Sequence, residues 1–488
     1  MEQAAPLLDR DGSPQDISNL PDGDLEKSET LLQRYQTRWE KFRAQVLVPS
    51  NLLLILPRYI QPGGRKEYIK DPSKISPTAY LDALRGYAAF FVFFYHGWAS
   101  KFWVIQLPFI RVMFLGGAGM VATFFVISGY VLSYRLLKLI HNRETARLLD
   151  ALCSSIFRRW LRLYGSTAVG TCLAAILVYL GWYVPNPVLR KATILAQVWD
   201  WALNVIVTSN PFANIEGWWH PGVFFTAYLP QMWTIPVEFR GSVLLFMFCA
   251  ASAKLTTKSR MILLWSIILL SYYWRCVYVA EFLYGMFVAE LSLLRHPERL
   301  GRPALPTEGE ATSRKPANRS CRILQTAGTP VGSCIALVLG LLLLSQPDPP
   351  NLGVTGPFPF QYLSQLIPPW FGDAGYTFWL SIGAFLVVFA LDSYPPLQRP
   401  LTLSFSQYLG DLSFGIYVMH NIVIQALYKK VLIFWQVQYL GISYVAFLPA
   451  IIVTALVVLW TADFFTRIDK KVVQFGRWLQ MKTFTKWE

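Results

Sequence analysis

Residues 81–100 read LDALRGYAAFFVFFYHGWAS, an apolar run interrupted by two ionisable side chains of different character. About 20 mainly apolar residues are enough to cross a hydrocarbon core about 30 Å thick. Arg85 and His96 stand eleven residues apart. At 100° per residue that separation is about 1100°, three turns plus about 20°, so both project from one helix face. At 1.5 Å per residue His96 lies about 16 Å deeper, near the middle of the core. One face thus presents a cation at the membrane edge and an imidazole at the midplane. Ionisable groups inside a span are costly and are candidates for function. An imidazole titrates close to neutral pH and can take a proton from a hydroxyl. The competing reading is a structural histidine hydrogen-bonded across helices.

The rest of the chain agrees with a membrane setting. Of 488 residues, 54% are hydrophobic and 15% charged, against about 25% charged in an ordinary soluble domain. Apolar runs lie near 85–106, 115–137, 164–184, 237–254, 260–275, 276–294, 330–346, 376–392, 411–433 and 442–464. Ten spans are therefore expected. The segment ILAQVWDWALNVIVT (194–208) is shorter and carries Asp200, so it reads as an interfacial or re-entrant helix.

The net charge of +15 is explained by where the cations fall. Arg135, Lys138, Arg143, Arg147, Arg158, Arg159 and Arg162 follow the second run, and Arg295, Arg299, Arg302, Arg314, Lys315, Arg319 and Arg322 follow the sixth. Loops rich in lysine and arginine face the cytosol. Arg467, Lys470, Lys471, Arg477, Lys482 and Lys486 place the C-terminal segment there as well. Nucleic-acid binding is not needed to account for the charge. The expected fold is an all-α integral membrane protein of about ten transmembrane helices with both termini cytosolic.

Residues 1–77 read as a polar, acidic tail followed by a basic amphipathic stretch at 29–56, suited either to an anionic membrane surface or to solvent. Residues 78–465 form the multi-pass domain, and 466–488 a basic cytosolic tail. MEQAAPLLDRDGSPQD (1–16) has no apolar core, so no cleavable signal peptide is expected and the first span would act as the targeting signal. The stretches 185–236 and 347–375 then face the lumen or exterior, and the sequon at Asn318 falls in a cytosolic loop, where it stays unglycosylated. The six cysteines have no paired short spacing, so neither a zinc site nor a disulfide framework is expected.

LDALRGYAAFFVFFYH, with arginine, ten residues and histidine, resembles the first helix of the membrane-bound acyltransferase-3 family. GGAGMVATFFVISGYVLSYR (116–135) is similar to the family's second helix, FRRWLRLYGS (157–166) to the basic start of its third, and QMWTIPVEFRGS (231–242) to its Trp-Ser/Thr-Leu/Ile-x-x-Glu segment. YLGDLSFGIYVMHNIV (408–423) is similar to its late Leu-Gly-x-x-Ser-Tyr-x-x-Tyr-x-x-His helix. Each motif alone is weak; five in order, over about residues 78 to 465, are specific. The Trp-Thr-Ile-Pro-Val-Glu-Phe-Arg form resembles fungal members. Two departures stand out: Gly165 where proline is frequent, and Phe414 where a tyrosine hydroxyl is frequent.

The resemblance implies O-acyl transfer from acyl-CoA, with acetyl-CoA expected, to a hydroxyl on a small molecule, lipid or glycan, in a setting of fungal secondary metabolism. It implies no tightly bound cofactor and no metal; acyl-CoA is a co-substrate. His96 is the expected catalytic base. Arg85, Arg158, Arg159 and Arg162 are expected to bind the donor, because guanidinium presents a fork of donors suited to phosphate; setting topology by charge alone is the competing role. Glu238 would orient His96 or bind the acceptor, or else form an interfacial pair with Arg240. His420 would contact substrate or bond between helices. Ser128, beside Gly129, would shape the site or simply allow close helix packing. Asp82 is at helical spacing from Arg85. The expected partners are the bilayer, acyl-CoA and the hydroxyl-bearing acceptor, at the endoplasmic reticulum or a later endomembrane. A proton-coupled transporter lined by Arg85, His96 and Glu238 is the alternative, and such folds often show two related halves, which the sequence does not. A non-catalytic scaffold leaves the alignment of Arg85 with His96 without a reason.

Overall fold

The computed structural model describes residues 55–68, 76–98, 107–185, 190–210, 227–300, 329–347, 358–443 and 445–485. The tail at 1–54, most of the loop after the sixth run, and the segment containing His220 lie outside them. Residues 1–64 form one unit and residues 65–488 another; the following concerns the second.

The described residues are helical and contain no strand. The principal helices are α1 (Ala79–Trp98), α2 (Gly117–His141), α3 (Thr145–Tyr179), α4 (Ile194–Thr208), α5 (Thr234–Ser252), α6 (Thr257–Tyr273) and α7 (Val277–Arg295). They continue with α8 (Pro330–Leu344), α9 (Gly375–Ser393), α10 (Ser404–Asp411), α11 (Ser413–Val423), α12 (Ile433–Tyr439) and α13 (Leu448–Thr483).

Six helical segments are long and apolar enough to cross a membrane: α2, α3, Pro230–Ser252, α7, α9 and Val445–Thr483. They coincide with six of the ten expected runs. The other four runs are helical too, but differ for particular reasons. α1 has 20 residues, and Asp82, Arg85 and His96 lower its apolarity. α6 has 17 residues and α8 has 15. The 411–433 run is α11 joined to a π-helical stretch, Ile424–Leu432. α4 is a 15-residue helix begun by Thr193, whose side chain accepts from the Ala196 N–H.

Two helices far exceed the bilayer. α3, of 35 residues, is about 52 Å long, and α13, of 36, about 54 Å, against about 30 Å of hydrocarbon. α13 runs unbroken past residue 465, so the expected basic tail is the continuation of a span. α3 changes to a π turn at Leu161–Gly165, ending on the Gly165 that stands where proline is frequent in the family it resembles. π turns interrupt α-helices most often at functional sites.

α2 stands at the centre, in contact with α1, α5, α7 and α9. Its contact with α7 is backbone on backbone: a Cβ on Gly129 would meet the Phe282 carbonyl at 2.0 Å, and one on Gly285 the Val126 carbonyl at 2.0 Å. α1 is seated in the same way, Gly86 against Leu409 and Gly410 against Asp82. These approaches fix α1 and α10–α11 side by side, which places Arg85 and His96 opposite α11.

Candidate active site

A cavity of about 270 Å³ opens among α1, α2, α3, α5, α11 and α13. Arg85, Arg159 and Arg162 line it, together with Asp82, Glu238 and Asp469. Three cations thus meet three carboxylates. Arg159 donates to Glu238, and its Nε donates to the Ser242 hydroxyl at 2.9 Å; the two charged side chains are only 10% and 14% exposed. Arg85 lies 4.0 Å from Asp82, the helical pair expected from spacing. Asp469 accepts from Ser166 at 2.5 Å. A buried pair of this kind is worth little in net stability, yet losing one partner is expensive because the other charge stays desolvated.

The inner wall is aromatic and hydroxylic. Phe124, Ser128, Thr234, Ser413, Phe414 and Tyr417 face it. The Tyr417 hydroxyl donates to the Gln231 carbonyl at 2.5 Å and lies 2.9 Å from the Thr234 hydroxyl. The Gln231 amide donates to the Val418 carbonyl at 3.2 Å and accepts from Asn421 at 3.0 Å. The Gln231–Thr234 segment therefore clamps α11 along one turn.

One turn beyond Tyr417 on α11 is His420, fully buried. Its ring stacks on that of His96, centroids 5.2 Å apart and planes at 26°, and lies 6.0 Å from the Tyr417 ring. His420 Nδ1 is 3.1 Å from the Ile416 carbonyl. A carbonyl can only accept, so Nδ1 carries the proton and Nε2 the lone pair. Nε2 is buried with no hydrogen-bond partner among the described residues. His96 itself retains accessible surface, so a substrate or water can reach it.

The structure thus brings Arg85, Arg159, Arg162, Glu238 and Ser128 to one cavity and His96 and His420 to one stack. Glu238 is engaged by Arg159 in the cavity rather than set against the imidazole of His96. Arg158 does not line the cavity; its Nε donates to the Ser154 carbonyl at 3.2 Å. His141 meets Glu290, which also binds Arg260, a separate buried contact between α2, α6 and α7. Tyr417, Gln231, Asn421 and Asp469 were not expected at the site. By spacing alone Tyr417 shares a helix face with His420 at i,i+3 and with Asn421 at i,i+4, whereas Asp469 is a lone carboxylate in the basic stretch RIDKK (467–471).

The acyltransferase-3 family model, described as an acyltransferase domain, matches residues 78–463. The chain belongs to this family. It is 30% identical over 452 residues to the O-acetyltransferase PaAT-1 of Phomopsis amygdali, covering 84% of this chain and 86% of the relative. It is 25% identical over 354 residues to acyltransferase clz18 of Cochliobolus lunatus, covering 65% and 70%. With acyltransferase R4 of a Phoma species the identity is 22% over 410 residues, covering 72% and 83%. No solved structure matches the chain. This member of the acyltransferase-3 family is accordingly an integral membrane acyltransferase that transfers groups other than aminoacyl groups.

Proposed function

We propose that the protein moves an acyl group, acetyl in the first instance, from acyl-CoA to a hydroxyl of a small-molecule, lipid or glycan acceptor. The observation that carries this reading is the stack of His96 on His420 one helical turn beyond the charged cavity. The donor lies along the cavity, facing Arg85, Arg159 and Arg162, with its thioester toward the histidines. His96 takes the proton of the acceptor hydroxyl while the oxygen forms a bond to the thioester carbonyl carbon. The tetrahedral intermediate collapses with cleavage of the C–S bond, and the imidazolium returns its proton to the leaving thiolate. His420 Nε2, a lone-pair acceptor, takes a hydrogen bond from a second donor of the bound substrates, a neighbouring hydroxyl or a pantetheine amide N–H, which holds the reacting hydroxyl beside His96. Ser128 shapes the wall of the donor path.

The names of the fungal relatives, two acyltransferases and an O-acetyltransferase, support a setting in secondary metabolism, and insertion at the endoplasmic reticulum follows from a multi-pass chain. Metabolite profiling of a deletion strain tests the reading. The expected result is accumulation of a compound lighter by one acyl group, restored to product by the wild-type gene and not by H96A. Solute flux through proteoliposomes without consumption of acyl-CoA would overturn it in favour of transport.

A further inference from the structure

The cavity is formally neutral in its charged lining, three arginines against three carboxylates. A donor bearing several phosphates needs more positive charge than this supplies. A second group of cations has no such balance. Arg158 of α3 lies within electrostatic reach of Arg477 of α13 and Arg135 of α2. None of the three forms an ion pair with a described carboxylate. Arg135 and Arg477 are exposed and Arg158 is half-buried.

Packing, rather than chance, brings them together. α3 and α13 are joined where Ser154 donates to Gln480 at 3.1 Å and where Phe157 meets Phe484 edge to face at 5.1 Å. α13 also packs on α3 at Gly476, where a Cβ would stand in ordinary contact with the Leu161 side chain at 3.4 Å. Arg158 Nε donates to the Ser154 carbonyl, and its two terminal nitrogens have no hydrogen-bond partner among the described residues. A cytosolic bias in arginine explains three cations on one side of a membrane. It does not explain their convergence from three helices, since like charges repel unless an anion sits between them.

We infer that Arg135, Arg158 and Arg477 form a phosphate-binding site at the outer end of the donor path. The site rests on the acyl-CoA reading for its occupant, the donor's phosphates; an anionic phospholipid headgroup offers the same chemistry. The pantetheine arm then passes Arg162 and Arg85 through the neutral cavity, which suits an uncharged amide chain.

The test uses the full-length protein in detergent, comparing wild type with R135Q, R477Q and R477K for affinity toward CoA and 3′-dephospho-CoA. Each glutamine variant is expected to bind CoA about tenfold more weakly, with a smaller loss for 3′-dephospho-CoA, and R477K to fall between. Thermal midpoints should be unchanged, since no carboxylate loses its partner. A parallel arm measures association with nanodiscs of phosphatidylcholine alone or with added phosphatidylserine. Wild-type affinity for CoA together with a lost preference for phosphatidylserine supports the phosphate site and assigns it to lipid. Wild-type behaviour of both glutamine variants in both arms overturns the site. If the wild-type protein itself fails to bind CoA, the donor reading falls and the lipid arm alone decides the arginines.

Discussion

The cavity and the histidine stack are neighbours along α11, yet they are stabilised by opposite means. In the cavity charged groups find opposite charges: Arg159 has Glu238, Arg85 has Asp82, and Asp469 stands across from Arg162. At the stack, His420 is fully buried and leaves Nε2 without a partner among the described residues. Saturated polar groups hold a shape, whereas an orphaned lone pair costs free energy and is retained where a ligand supplies the missing bond. The first region is therefore a frame and the second a place for chemistry.

That contrast breaks most visibly at His96. H96A should lower kcat about 10²- to 10⁴-fold, the usual contribution of a general base, while leaving the thermal midpoint within a few degrees of wild type. Turnover at the wild-type rate would make the stack structural. Glu238 should behave in the reverse manner: E238A leaves Arg159 buried and uncompensated, so a loss of about 3–5 kcal/mol in stability is expected. Denaturant titration in mild detergent reads this, and a fully stable E238A protein would show that the cavity is no frame.

Smaller changes sharpen the boundary between the two regions. R85Q removes a charge-assisted contact to the donor, worth about 1.5–3 kcal/mol. It should raise KM for acyl-CoA at least tenfold with little change in kcat; a change confined to kcat would move Arg85 into the chemistry. Y417F deletes the hydroxyl that bonds Gln231 and Thr234. About 1 kcal/mol is at stake, seen as a modest fall in melting temperature and a several-fold loss of kcat through the position of His420. No effect on kcat would separate the clamp from the stack.

How much of this could be read in the sequence follows the range of each interaction. Arg85 and His96 share one helix, so a periodicity argument places them correctly, and the Asp82 pair is equally local. His420 and Tyr417 are three residues apart on α11, so their proximity was available too. The engagement of Glu238 by Arg159 joins residues 79 positions apart, and spacing carries no information at that distance; the nearby Arg240 was the more obvious local partner. The end of α13 lay beyond a local reading for a different reason. α13 was divided at 465 because its composition turns basic there, yet helical hydrogen bonding is indifferent to that change, and packing on α3 carries the helix to Thr483. The four expected spans outside the six long apolar helices were counted by apolar run, which registers neither where a helix ends nor how far Asp82, Arg85 and His96 lower the apolarity of α1.

α13 also makes the enzyme a gauge of its surroundings. Near its middle, the Ala462 carbonyl packs against Gly415 of α11, five residues before His420; farther along, Gln480 and Phe484 are fastened to α3. A stiff rod held at both levels cannot bend to suit a thicker membrane and must tilt instead, at a cost of a fraction of a kcal/mol per Å of mismatch. Tilting would shift the arginine end relative to the histidine end. Turnover should therefore pass through an optimum as the acyl chains of the host lipid are lengthened, and a flat response across reconstitutions from short- to long-chain phosphatidylcholine would show that the two ends move independently.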